Sequence, residues 1–214
     1  MIGLIGTKIG MTRVFDADGG QVPVTVLAAG PCYVLQRKTR ARDGYEALQL
    51  GYGVQKEQRV TRARKNHCAQ VEAPPLRVIR EFRVDADCDT AAGQQVTVAQ
   101  CFREGSMVDV EGVTKGKGFA GVLRRYDMSG GATSHGGHSK RRPGSIGNSA
   151  TPSRVQKGKR MPGHMGHVRA KQRNLRVVKV EPDEHLLLVR GAVPGPNGAT
   201  VIIREALKKT RPSE

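Results

Sequence analysis

Two histidine pairs, His135-Gly-Gly-His138 and His164-Met-Gly-His167, have a spacing at which imidazoles can share a metal ion. Four histidines could build a tetrahedral site. No cysteine or carboxylate lies near them, however, and the glycine-rich loops around them would first have to be fixed by something else. Histidines that donate hydrogen bonds to a polyanion are the simpler reading, and no metal or other cofactor is expected. Gly112, Lys115, Gly116, Lys117 and Gly118 suggest a phosphate loop, because glycine lets backbone amides approach phosphate oxygens. The spacing G-x-x-x-x-G-K-[ST] is absent, and Gly118 stands where a hydroxyl would hold magnesium, so nucleotide hydrolysis is not expected. Ser134, Ser139, Ser145, Ser149 and Ser153 lie close in sequence to histidines, but no carboxylate is available to orient a nucleophilic triad. No small-molecule substrate is implied, and the chain does not read as an enzyme.

The residues that remain are cations. From 112 to 173 the chain carries Lys115, Lys117, Arg124, Arg125, Lys140, Arg141, Arg142, Arg154, Lys157, Lys159, Arg160, Arg169, Lys171 and Arg173, against Asp127 as the single acid. The whole 214-residue chain has a net charge of +17, so most of that charge belongs to this segment. Thirteen of the 27 glycines lie there too, and neither a helical nor a two-residue apolar period is sustained. Two unit charges about 10 Å apart in water repel by roughly 0.4 kcal/mol, so a dozen along one segment oppose compaction. The segment is therefore expected to bury no core of its own and to be extended and mobile until an anion neutralises it. A solvated linker would have less reason to mix arginines with histidines.

The anion is expected to be RNA. No apolar run approaches a transmembrane length and the basic stretches lack an apolar helical face, which argues against a membrane surface. A helix-turn-helix or zipper would favour DNA, and neither is found. An RNA-modifying enzyme would need a cofactor loop or an acid–base pair, and neither is found. Lys117, Gly118, Phe119, Ala120 and Val122 partly match an RNA-recognition strand, but Gly121 and Arg124 replace its further aromatics. With only Phe119 and Tyr126 in the segment, stacking on single strands cannot be the main mode, and phosphate and shape recognition of folded RNA fits better.

The elements around the segment read as β structure. Lys8 to Phe15 and Gln21 to Ala28 bracket Asp16, Ala17, Asp18, Gly19 and Gly20, a hairpin signal. Tyr33 to Lys38 and Tyr45 to Gly51 around Asp43-Gly44 suggest a second. Met107 to Val110, Leu175 to Val180, His185 to Val189 and Thr200 to Arg204 supply further strands. The predicted fold is mainly β: a small β-barrel or sandwich over 1–111 and 174–214, a less regular insertion over about 58–105, and an extension over 112–173. Short helices are possible near Val60 to Ala69 and Val96 to Phe102. The start, Met1 to Lys8, lacks the pattern of a secretory signal. Cys32, Cys68, Cys88 and Cys101 are widely spaced with no C-x-x-C pair, so reduced, mostly buried thiols in a cytosolic chain are expected.

Longer motifs carry a family resemblance. They are Gly3-Leu-Ile-Gly-Thr-Lys-Ile-Gly-Met-Thr12, Asp43-Gly-Tyr-Glu-Ala47, Val108-Asp-Val110, Thr114-Lys-Gly-Lys-Gly-Phe119, Arg142-Pro-Gly-Ser-Ile-Gly147, Lys157-Gly-Lys-Arg-Met161, Gly163-His-Met-Gly166 and Leu187-Leu-Val-Arg-Gly-Ala-Val-Pro-Gly195. Together they resemble the bacterial form of the universal large-subunit ribosomal protein family called L-three. The resemblance implies a translation-protein type barrel and an extension that runs through ribosomal RNA towards the peptidyl-transferase centre. It also implies binding near the 3′ end of that RNA early in subunit assembly, with other large-subunit proteins as neighbours. The extension's tip would fall at Arg142 to Thr151 and its stems at Lys115, Lys117 and Lys157 to Arg160. The implied RNA contacts include the fourteen cations, His135, His138, His164, His167, Ser145 and Asn148. Asn148 stands where the family often has a methylated glutamine, so the resemblance does not carry that modification over, and Tyr126 follows Arg124-Arg125 where a tryptophan is common; this chain has no tryptophan.

Overall fold

The computed structural model describes residues 3–85, 88 and 90–206; the outer ends of the expected body, 1–2 and 207–214, lie outside these. In chain order the strands are β1 (Leu4–Phe15), β2 (Gln21–Ala29), β3 (Cys32–Lys38), β4 (Ala47–Val54), β5 (Leu76–Arg83), β6 (Gln95–Val96), β7 (Met107–Val113), β8 (Gly118–Ala120), β9 (Gly163–Met165), β10 (Arg169–Glu181), β11 (Leu186–Arg190) and β12 (Thr200–Glu205). The helices are α1 (Arg40–Asp43), α2 (Arg62–Ala69), α3 (Val98–Cys101) and α4 (Val122–Tyr126). The chain divides into two compact units, one of Met1–Val113 with Arg169–Glu214 and one of Thr114–Val168.

In the first unit six antiparallel strands close into a barrel in the order β1-β12-β7-β10-β11-β2, and β2 pairs back onto β1. Alternation drives it: Leu27 and Ala29 point inward from β2, and Val201 and Ile203 do so from β12, while Val22 and Val24 form a separate small cluster with Leu188. Leu27, Ala29, Val201 and Ile203 meet Leu4, Val110, Val177, Leu187 and Val189 in one buried cluster. Each such side chain contributes about 1.5–3 kcal/mol by leaving water, and Leu187→Ala would cost about 2–5 kcal/mol. The first hairpin forms as its turn residues demand, with the Gly19 amide donating to the Asp16 carbonyl at 2.9 Å and the Asp16 amide to that of Gly20 at 2.9 Å. Inside the barrel end, the buried Lys8 ammonium donates to the carbonyls of Val193 (2.8 Å) and Gly195 (3.1 Å), which ties down the loop before β12.

The second expected hairpin is real, but it is not barrel wall. β3 and β4 pair across the single turn α1, which Gly44 ends at φ 83°, a left-handed value that suits glycine. With β5 and β6 they form a separate sheet of order β5-β4-β3-β6. Val34, Leu48, Leu50 and Phe82 of that sheet join the barrel's cluster, while α2 helps build a smaller one from Leu35, Cys68, Ala73 and Leu76. Thus the region 58–105 holds two strands besides the helices near the places expected for them. Among the cysteines, Cys32 and Cys68 are buried, Cys88 and Cys101 are half-buried, and all four are free thiols. Burial pushes the Cys32 and Cys101 thiols up to about 12, and the Cys32 thiol donates to the Ile5 carbonyl at 3.4 Å. No helix among the described residues is long and apolar enough to cross a membrane.

Candidate nucleic-acid interface

The basic segment is rooted on two neighbouring strands. β7 and β10 pair from Arg176↔Met107 to Arg169↔Val113, so the chain leaves the barrel and re-enters it one strand spacing apart, about 5 Å. Residues 112–113 and 169–173, expected within the extension, are therefore barrel strand. The polar, solvent-facing character of the second stretch hid this, since Arg169 to Asn174 shows no apolar alternation.

A buried carboxylate shapes this root. Asp109 accepts the Asn174 amide at 2.9 Å and pairs with the Lys171 ammonium at 2.9 Å. Asn174 has φ 54°, and the strand register slips between Gln172 and Leu175. The extra residue would leave an amide unpaired inside the wall, and Asp109 supplies its acceptor. Lys171 was among the residues expected to contact RNA; its ammonium already has a protein partner. Asp109 figured only within the family motif Val108-Asp-Val110, and an acid between two valines carries no local sign of burial.

The second unit begins with a short ladder that the charge count gave no reason to expect. β8 and β9 pair through Gly118↔Met165, Phe119↔His164 and Ala120↔Gly163, and Ala120 and Val122 are buried. The segment thus has a small ordered base, because two short strands meet across a long intervening stretch and α4 covers one of their faces. Gly166, at φ 76°, passes so close to the Lys115 carbonyl that a Cβ would collide with it. Arg125 turns inward, donates to the Met161 carbonyl at 2.8 Å and lies 5.0 Å from the Tyr126 ring centroid. Arg160 approaches the same ring at 5.6 Å.

Beyond this base the cations face solvent. Every residue from His138 to Arg160 is exposed, which includes Lys140, Arg141, Arg142, Ser145, Asn148, Arg154, Lys157 and Lys159. Lys115, Lys117, Arg124, His135, His164 and His167 are exposed as well, as are Arg169 and Arg173 on β10. The histidine pairs do not converge: among the described residues no group of three or more His, Cys, Asp or Glu side chains could hold a metal ion. Eleven lysines and arginines stand in Thr114–Val168 against Asp127 alone. Such an array can form charge-assisted hydrogen bonds with phosphates, bidentate ones from arginine, but has no group positioned for covalent chemistry.

A second basic feature was not foreseen. Arg77 and Arg80 of β5, Arg169 of β10 and Arg204 of β12 line an open cleft of about 630 Å³ in the first unit, with Glu111 also in its wall. Their strands bring them together from distant parts of the chain, so no local spacing announced them.

Residues 54–186 match the model of the family described as "Ribosomal protein L3". The chain belongs to that family. It is 46% identical over 206 residues to "Large ribosomal subunit protein uL3" of Desulfitobacterium hafniense, covering 96% of each chain. It is 47% identical to the protein of the same name from Syntrophotalea carbinolica, covering 96% of this chain and 98% of the relative. It is accordingly a ribosomal protein, with a structural rather than an enzymatic role.

Proposed function

We propose that this chain is a structural constituent of the large ribosomal subunit in the cytoplasm and binds large-subunit ribosomal RNA through Thr114–Val168. The observation that carries the reading is the run from His138 to Arg160, exposed throughout and rich in cations, on an ordered two-stranded base. An unneutralised array of this kind is held apart by its own repulsion and gains most from a partner with closely spaced phosphates. The expectations attached to the L-three resemblance complete the proposal. The RNA bound lies near the 3′ end, binding comes early in assembly, and the tip at Arg142 to Thr151 points towards the peptidyl-transferase centre, with other large-subunit proteins beside the barrel.

The test is sedimentation of a lysate through sucrose at moderate salt, followed by ultraviolet cross-linking within the isolated particles. The chain should co-migrate with large subunits, and peptides from Thr114–Val168 should carry cross-linked nucleotides. Migration as free protein, or cross-links confined to the barrel, would contradict the proposal.

A further inference from the structure

Phe119 is 80% exposed although it lies in the middle of a short strand. His164, directly opposite it in the β8–β9 pair, is exposed as well. Opposed residues of an antiparallel pair project from the same face with Cβ atoms about 4.5–5.5 Å apart, so the two side chains leave the same face next to each other. The reverse face is covered. Ala120 there is only 4% exposed, and a Cβ on Gly163 would come within 2.6 Å of an Arg125 guanidinium nitrogen. Arg125 is in turn held by the Met161 carbonyl. A two-stranded sheet with one face closed by its own helix thus presents two flat unsaturated rings to solvent.

We infer that Phe119 and His164 form a stacking site for one unpaired RNA base, an inference that rests on the RNA-binding reading above. The chemistry of the neighbourhood selects this occupant. Lys115 and Lys117, close before Phe119 in the chain, are exposed, and among the described residues no carboxylate pairs with them. The ligand must therefore offer a flat face to the rings and negative charge within reach of the two ammonium groups. A nucleotide displaced from a helix does both, whereas an intact duplex offers phosphates with its base faces hidden. An apolar protein segment would satisfy the rings and leave the cations unanswered. Stacking also differs from the rest of the interface in kind, because it is nearly independent of salt while phosphate contacts are not.

The test uses the full chain and two RNA hairpins with the same number of nucleotides. One carries 2-aminopurine as a single-base bulge and the other carries it within a fully paired stem. The wild type should prefer the bulged hairpin and quench its fluorescence. Phe119→Leu keeps apolar area but removes the ring; it should lower that preference by roughly fivefold or more and abolish the quenching, and Phe119→Trp should restore both. The salt dependence should be the same for all three proteins. An unchanged preference and quench in Phe119→Leu would overturn the stacking site. So would a Phe119→Leu chain that binds both hairpins normally yet fails to associate with other subunit proteins, which would mark Phe119 as a protein contact. Salt-insensitive binding by the wild type would instead overturn the phosphate reading beneath it.

Discussion

Replacing Thr114–Val168 by a four-residue Asn-Gly type turn between Val113 and Arg169 should leave the barrel folded and make it more stable. Val113 and Arg169 are directly paired, so the excision turns a long excursion into an ordinary hairpin. The excised stretch is a compact unit of its own, and its buried residues Ala120 and Val122 are lost with it. Closing a connection of 55 residues costs more chain entropy than closing one of four, and the logarithmic law puts the difference at about 2 kcal/mol. Eleven cations and one acid leave with the segment, which also relieves self-repulsion. For a domain of this size about 2 kcal/mol corresponds to roughly 4–8 °C in Tm. Urea titration and thermal melting by circular dichroism would read it. Loss of cooperative unfolding, or destabilisation by more than about 2 kcal/mol, would show that the segment is integral to the barrel and refute the reasoning.

Asp109→Ala should destabilise the chain by about 1–3 kcal/mol in urea, because the Asn174 amide loses its acceptor inside the barrel wall, whereas Asp109→Asn, which keeps an acceptor oxygen, should cost less. Alkylation at pH 8 should spare Cys32 and Cys101, since thiols raised to about 12 hold roughly a thousandfold less thiolate there than thiols at their ordinary value of 9.0. The same shift has a stability consequence: the folded chain keeps two protons that the unfolded chain releases, so their contribution is full below about pH 9 and fades as pH rises towards about 12, measurable as a falling urea midpoint. Limited trypsin digestion of the free protein should cut first between Lys140 and Arg160, where every residue is exposed, and initial cuts in β1 or β2 would contradict the division into units.

Local chemistry made much of the fold legible. Asp16 to Gly20 announced a hairpin because its residues suit a tight turn, and Asp43-Gly44 did so for β3 and β4, although Gly44 proved to end a turn of helix. The class of fold and the basic character of one segment could be read from alternation and charge. What stayed hidden depended on contacts between distant residues. β5, with its four interleaved charges in Leu76–Arg83, looks like surface until β4 pairs with it. β8 and β9 are three residues each, too short to show a period, and only their pairing reveals them. Asp109 is the sharpest case: an acid in a strand carries no sign of burial, and its partner amide belongs to a bulge 65 residues later. The exposed cations of the basic segment were legible because they lie close together in the sequence, while the arginine cleft was not, because four strands assemble it.

The most direct test of the central claim compares the salt dependence of binding to a large-subunit RNA fragment for the full chain and for the excised variant. If about eight of the eleven cations in Thr114–Val168 contact phosphates, the log–log slope of the full chain should be roughly −6 to −7, and the excised variant should fall to about −2 or shallower. Equal slopes for the two proteins would show that the basic segment does not carry RNA binding, and would contradict the account.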